Sequence, residues 1–320
     1  MDVTLENGMT VTTYSPPSGF NPLQATNAEL VRAGFPPRPE NPELLAHWNQ
    51  LFQDLNGKLN YITPTFEHMP HVREPRLKRS PRTQTVGDTI TNDHWSGVQV
   101  FPPSSSFCAL TAAWWVPTIS APDTTQDYWL MTWIGIDGEE SDDVLCQIGI
   151  VQNINLVAEG AQQCYPFFEW WPAGPSYGVN NFDVQPGNLV TLWLSTQGYG
   201  STQATGFYAN RSTGTATTVT FNDKQNNNPL IGHCAEWIVE RPLNNNVPEL
   251  LADYGQTYFF QCQADYGDPN EPTPVTPAAT DATVITMVDG NTTLSQATVA
   301  PSPGTEIHFQ YAGPSVSQAG

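Results

Sequence analysis

From about residue 88 the chain is a succession of short runs rich in β-branched and aromatic residues, with turn residues between them and no helical periodicity. No other feature constrains the fold so strongly. The runs are HWSGVQVF (94–101), CALTAAWWVP (108–117), YWLMTWIGI (128–136), VLCQIGIV (144–151), CYPFFEWW (164–171), NLVTLWLS (188–195), TATTVTF (215–221), AEWIVE (235–240) and TYFFQCQ (257–263). Turn signals such as DG (137–138) and QPGN (185–188) divide them. Such residues suit a pleated, half-buried surface. Many strands without intervening helices predict an all-β sandwich. After a Pro-rich stretch (267–277) come two last candidates, DATVITMV (281–288) and TEIHFQYA (305–312), expected to form a returning hairpin of the same sandwich.

The first 85 residues read differently. Thr26 and Glu29 have capping-box spacing for a short helix that ends at Gly34. Asn41 is a cap followed by a first-turn proline, and Leu44, Leu45, Trp48, Leu51, Phe52 and Leu55 make one apolar stripe closing at Gly57. An amphipathic helix needs a surface to cover, and the following domain is the expected one. A basic stretch, HVREPRLKRSPR (71–82), comes next, either a solvated linker or a processing and docking segment. The expected organisation is a prosegment-like extension (1–85), a sandwich (86–313) and a short tail (314–320).

Charge is unevenly divided. Eight of the 11 Lys and Arg precede residue 83, whereas 23 of the 31 acids follow it, against only Arg211, Lys224 and Arg241. A body of net charge −20 is a poor partner for nucleic acid or anionic membranes. Crowded carboxylates take up protons more readily in the folded than in the unfolded state, so stability is expected to decline from mild acid toward neutrality. No run approaches a membrane span, and the start MDVTLENGMT lacks a signal peptide's charged and apolar regions. Asn210-Arg-Ser and Asn291-Thr-Thr are glycosylation sequons.

Several chemistries find no support. The five cysteines (Cys108, Cys146, Cys164, Cys234, Cys262) have no zinc spacing, and their odd number leaves at least one unpaired. Gly174-Pro-Ser-Tyr-Gly178 matches a nucleophile-elbow pattern, but a proline beside the serine and the lack of a strand-to-helix turn make it a chance match. EESDD (139–143) reads as a solvated loop rather than a calcium site. No metal and no cofactor is expected.

What remains is polar residues among large rings on strands. Alternation puts Glu236, Ile238 and Glu240 on one face, Leu145, Gln147 and Gly149 on one face, and likewise Trp133, Gly135 and Asp137, and Phe167, Glu169 and Trp171. Such a face is a groove lined with rings.

The succession HWSG (94–97), WVPTIS (115–120), WIGIDG (133–138), CQIG (146–149), FFEWWP (167–172), VQPGN (184–188), AEWIVE (235–240) and DATV (281–284) resembles the fungal-type glutamic peptidases, the eqolisins, over about residues 90–312. That resemblance implies two curved antiparallel sheets, concanavalin-like, and an acid-acting endopeptidase. It implies a catalytic pair, Gln147 and Glu240, with Trp95, Trp133, Asp137, Glu169 and Trp171 lining the groove. It further implies protein or peptide substrates, secretion and a monomer. Two positions depart from the family: Cys146 stands where an aliphatic residue is usual, and Trp171 replaces a tyrosine. The residues alone also allow a glycoside hydrolase pairing Glu169 with Glu236 or Glu240, or a lectin-like module.

Overall fold

The computed structural model describes residues 1–69, 89–103, 105–121, 123, 125–139, 144–155, 161–223, 228–244 and 247–314. The basic stretch 71–82, most of EESDD and all but the first residue of the tail lie outside these residues.

Two antiparallel sheets pack face to face. The front sheet runs, in spatial order, Thr65–His68, Tyr177–Asn180, Ala161–Trp171, Leu145–Asn155, Tyr128–Asp137, Ala235–Glu240, Trp95–Val100 and Thr283–Asp289. The back sheet runs Asp2–Thr4, Thr10–Thr13, Thr215–Asn222, Gln203–Asn210, Leu189–Thr196, Phe107–Trp115, Gln256–Tyr266, Ile307–Tyr311 and Thr292–Val299. Alternation decides which side chains enter the space between them. Leu130, Ile134, Ile136, Cys146, Ile148, Ile150, Phe168, Trp170, Trp237 and Val239 of the front sheet meet Leu110, Trp114, Leu192, Leu194, Tyr208, Val219 and Phe259 of the back. Cys146 is thus a core residue out of phase with its neighbour Gln147. All five cysteines are free thiols.

The expected hairpin of 281–288 with 305–312 does not form. Thr283–Asp289 pairs with Trp95–Val100 in the front sheet, and Ile307–Tyr311 pairs with Gln256–Phe259 in the back. Between them Thr292–Val299 bonds to both and joins the two sheets. That strand alternates buried Ser295 and Ala297 with exposed Gln296 and Thr298, and its Thr and Ser content reads as turn sequence.

The two helices stand where their signals are. Thr26 caps Asn27–Arg32 through a complete capping box. Asn41 caps Pro42–Leu55 by accepting hydrogen bonds from the Glu43 and Leu44 amides, at 3.0 and 2.9 Å. The helix's stripe (Leu44, Trp48, Leu51, Phe52, Leu55) buries against Trp193, Phe207, Ala209 and Ala216 on the outer face of the back sheet. The Arg211 guanidinium, 7% exposed, bonds to Asp54 at the end of this helix. Segments 10–13 and 65–68 add strands to the back and front sheets respectively. The described part of the N-terminal segment is therefore built into both layers. Of the two sequons, Asn210 is buried and bonds through Nδ2 to Asp183 O and Asn188 Oδ1, whereas Asn291 is exposed in a turn.

Candidate active site

The outer face of the front sheet carries the second set of alternating side chains. Register arranges them in cross-strand rungs. One rung reads Gln99, Glu236, Gly135, Gln147, Glu169. The next reads Gly97, Ile238, Trp133, Gly149, Phe167, and the third Trp95, Glu240, Met131, Val151, Tyr165. Rings and aliphatic groups of these rungs form their own cluster, with Trp95 edge-on to Trp133 at 5.0 Å between centroids.

Glycines keep the middle rungs open. A Cβ on Gly149 would sit 2.5 Å from both Phe167 Cε1 and Trp133 Cβ. One on Gly135 would sit 2.9 Å from Trp133 Cζ3. The Trp133 side chain thereby packs against Gly135 and Gly149, on the rung between the two polar ones.

Gln147 and Glu240 share this face and are both fully buried. Each is held by a neighbour. Gln147 Nε2 donates to Glu169 Oε2 at 2.8 Å across the strand pair, and Trp133 Nε1 donates to Glu240 Oε2 at 2.6 Å. The two groups lie diagonally across Trp133, two strands and four residues apart. At about 4.8 Å per strand and 3.4 Å per residue, their Cα atoms are about 17 Å apart.

Among the other expected groove residues, Trp95 and Glu169 lie on the rungs of this face, and Trp171 lies half-buried at its end, opposite Leu145. Asp137 is placed differently. It is fully buried at the strand's end in a left-handed conformation (φ 65°). Its carboxylate accepts the backbone N–H groups of Ile231 (2.8 Å), Gly232 (3.0 Å) and His233 (2.6 Å). Asp137 therefore ties the 231–233 loop to the WIGIDG turn. Burial pushes its carboxyl above the usual range, and the three N–H donors offset part of that.

Gln99 was not singled out by the sequence. Its Nε2 bonds to Glu236 Oε1, which also accepts from Cys234 Sγ at 3.4 Å. Alternation along HWSGVQVF already places Gln99 on the face of Trp95, but a lone glutamine in a strand carries no chemical signature. Ser176 of the G-x-S-x-G match is buried and leads into a strand, Tyr177–Asn180, not a helix. Among the described residues no group of three or more His, Cys, Asp or Glu is placed to hold a metal, and no helix is long and apolar enough to cross a membrane.

The fold and the family match define the class: a two-sheet antiparallel β-sandwich hydrolase of the glutamic-peptidase type. Residues 93–309 match the profile of the Peptidase A4 family, and the chain belongs to that family. It is 23% identical over 252 residues to aspergillopepsin-2 of Aspergillus niger, covering 72% of this chain and 84% of that protein. The fold is that of scytalido-glutamic peptidase, solved with a transition-state analogue inhibitor (TM-score 0.56, 19% identity, 68% of this chain and 98% of that one). SCP-B, a member of the eqolisin family solved with the tripeptide Ala-Ile-His, superposes similarly (TM-score 0.52, 18% identity, 68% and 98%). The protein is accordingly a peptidase acting on proteins or peptides, and the carbohydrate readings fall away.

Proposed function

We propose that the protein is an acid-acting endopeptidase that splits peptide bonds with Gln147 and Glu240. The observation that carries this reading is that both groups lie buried on one face, each oriented by a hydrogen bond: Gln147 donates to Glu169, and Glu240 accepts from Trp133. Amide hydrolysis needs a base for water, an acid for the leaving amine and a donor for the oxyanion. Glu240 takes a proton from water and passes it to the leaving nitrogen. The Gln147 carbonyl oxygen orients the water, and its amide N–H serves the oxyanion. An amide does not titrate, so this role survives in acid, while a carboxyl near pH 4.3 in its unperturbed state cycles readily there.

Gln147→Ala and Glu240→Gln are each expected to abolish casein or haemoglobin cleavage at acid pH with the fold intact. Loss of one oxyanion donor alone is worth about 100- to 1000-fold. Glu236 lies on Gln147's own rung, across Gly135, so Glu236→Gln is the discriminating comparison. Retained activity there and loss in Glu240→Gln supports the pair; the reverse pattern transfers the role to Glu236.

The same reading takes the protein to be an extracellular monomer made as a zymogen. Residues 1–69 supply strands to both sheets, which favours their retention and limits any released portion to the neighbourhood of the basic stretch 71–82. Intact-mass measurement of the purified chain after incubation at pH 3 to 4 tests this.

A further inference from the structure

Past the Glu240 rung the outer face opens into a cleft of about 880 Å³. Its floor is the next rung, Trp129, Asn153 and Gln163, with Tyr165 beside it. Three carboxylates border it: Glu67 from the N-terminal segment, Asp127 at the start of its strand, and Glu249 after the Glu240 strand. None of its described lining residues is Lys or Arg.

A second observation gives the cleft a chemical preference. Asn153 is 5% exposed, and its Oδ1 accepts no hydrogen bond among the described residues. The same holds for the buried Oδ1 of Asp127. The Asn153 amide is anchored on its other side, where Nδ2 donates to Gln163 Oε1 at 3.5 Å. Both unsatisfied atoms are acceptors, and a buried acceptor left without a donor is costly. A ligand that completes this cleft brings N–H groups and positive charge. Guanidinium has five donors and ammonium three, and the methylene stem of either side chain covers aromatic surface such as Trp129 and Tyr165.

Position ties the cleft to the reaction. Trp129 is four residues along its strand from Trp133, about 13 Å. That distance is spanned by about four residues of an extended chain. We propose that the cleft is a subsite for an arginine or lysine side chain of the substrate, about four residues from the bond that is cut. The proposal rests on the peptidase reading above and adds a substrate preference to it.

The test uses peptides with one cleavable core and arginine, norleucine or glutamate placed three to five residues to either side. At one such position kcat/KM is expected to favour arginine over norleucine about 10-fold, as for a hydrogen bond to a charged group. In the variant Glu67→Gln/Asp127→Asn/Glu249→Gln the arginine-to-norleucine ratio is expected to fall toward one. A ratio near one at every position in the unaltered protein, or an unchanged ratio in the triple variant, overturns the proposal. Binding of the same fluorescent peptides to full-length Gln147→Ala separates the two readings. An arginine preference in binding without turnover by the unaltered protein keeps the subsite and removes the peptidase mechanism. Turnover without any preference removes the subsite alone, and neither turnover nor preferential binding removes both.

Discussion

Replacing Trp133 by Phe keeps an aromatic ring under the site and removes one donor, the indole N–H that lies 2.6 Å from Glu240 Oε2. A hydrogen bond to a charged, buried acceptor is worth about 1.5–3 kcal/mol, and this one favours the ionised form of the carboxyl. Its loss makes Glu240 harder to ionise. At 1.36 kcal/mol per pH unit, the acid limb of the rate profile should move up by about 1–2 units. Below the shifted limb kcat/KM falls about 10- to 100-fold, and above it the loss is small. The assay is kcat/KM on one peptide from pH 2 to 6, with thermal midpoints recorded to follow the cavity left by the smaller ring. A cavity lowers stability but does not move the limb. An equal loss at every pH, with the limb in place, refutes Glu240 as the group that must ionise.

Phe52→Ala should cost about 3–5 kcal/mol in urea unfolding, because Phe52 is buried between the helix and Phe207; a loss below 1 kcal/mol means that the helix is dispensable. Asp54→Asn leaves the Arg211 guanidinium, 7% exposed, without its carboxylate. About 2–3 kcal/mol is expected, less than for a fully buried pair because Asp54 is 30% exposed; an unchanged urea midpoint removes the ion pair from the account. Burial raises the carboxyls of Asp137 and Asp265 above their usual range. A raised folded value means the native state holds the proton more tightly, so this stabilisation is present below about pH 4 and lost as pH rises through the raised values. Asp93, held down by its hydrogen bond with His94, works in the opposite direction. The urea midpoint should fall from pH 4 to pH 7, and Asp265→Asn should flatten the fall; a rising midpoint contradicts the reasoning.

The legible parts of this molecule are those where one physical rule dominates. AEWIVE and YWLMTWIGI were readable as strands because ring and branched residues leave the backbone few alternatives. Alternation also told which side chains share a face within each strand, whereas the pairing of Gln147 with Glu240 came from the family resemblance. The strands Gln203–Asn210 and Thr292–Val299 were not legible. Their Gly, Thr, Ser and Gln residues are strand-forming only because neighbouring strands supply hydrogen-bond partners on both sides. Asp137 was read as a groove residue, and its bonds to a distant loop were not legible for a related reason. Its carboxylate serves the amides of residues 231–233, almost a hundred positions away, and nothing in WIGIDG announces that partner. The N-terminal helix was visible from its stripe, but the short strands 10–13 and 65–68 draw their stability from sheet edges elsewhere in the chain.

Those two short strands have a consequence for how the protein comes into being. Tyr14 bonds to Thr220, 206 positions on, and Asn222 closes onto the carbonyl of Thr10 at a separation of 212. During synthesis the opening residues emerge long before their ladder partners exist, and contacts of such long range slow folding. The first helix turns can form early, but the back sheet gains its edge only after some two hundred further residues have left the ribosome. Residues 10–14 are thus among the last parts to reach their place.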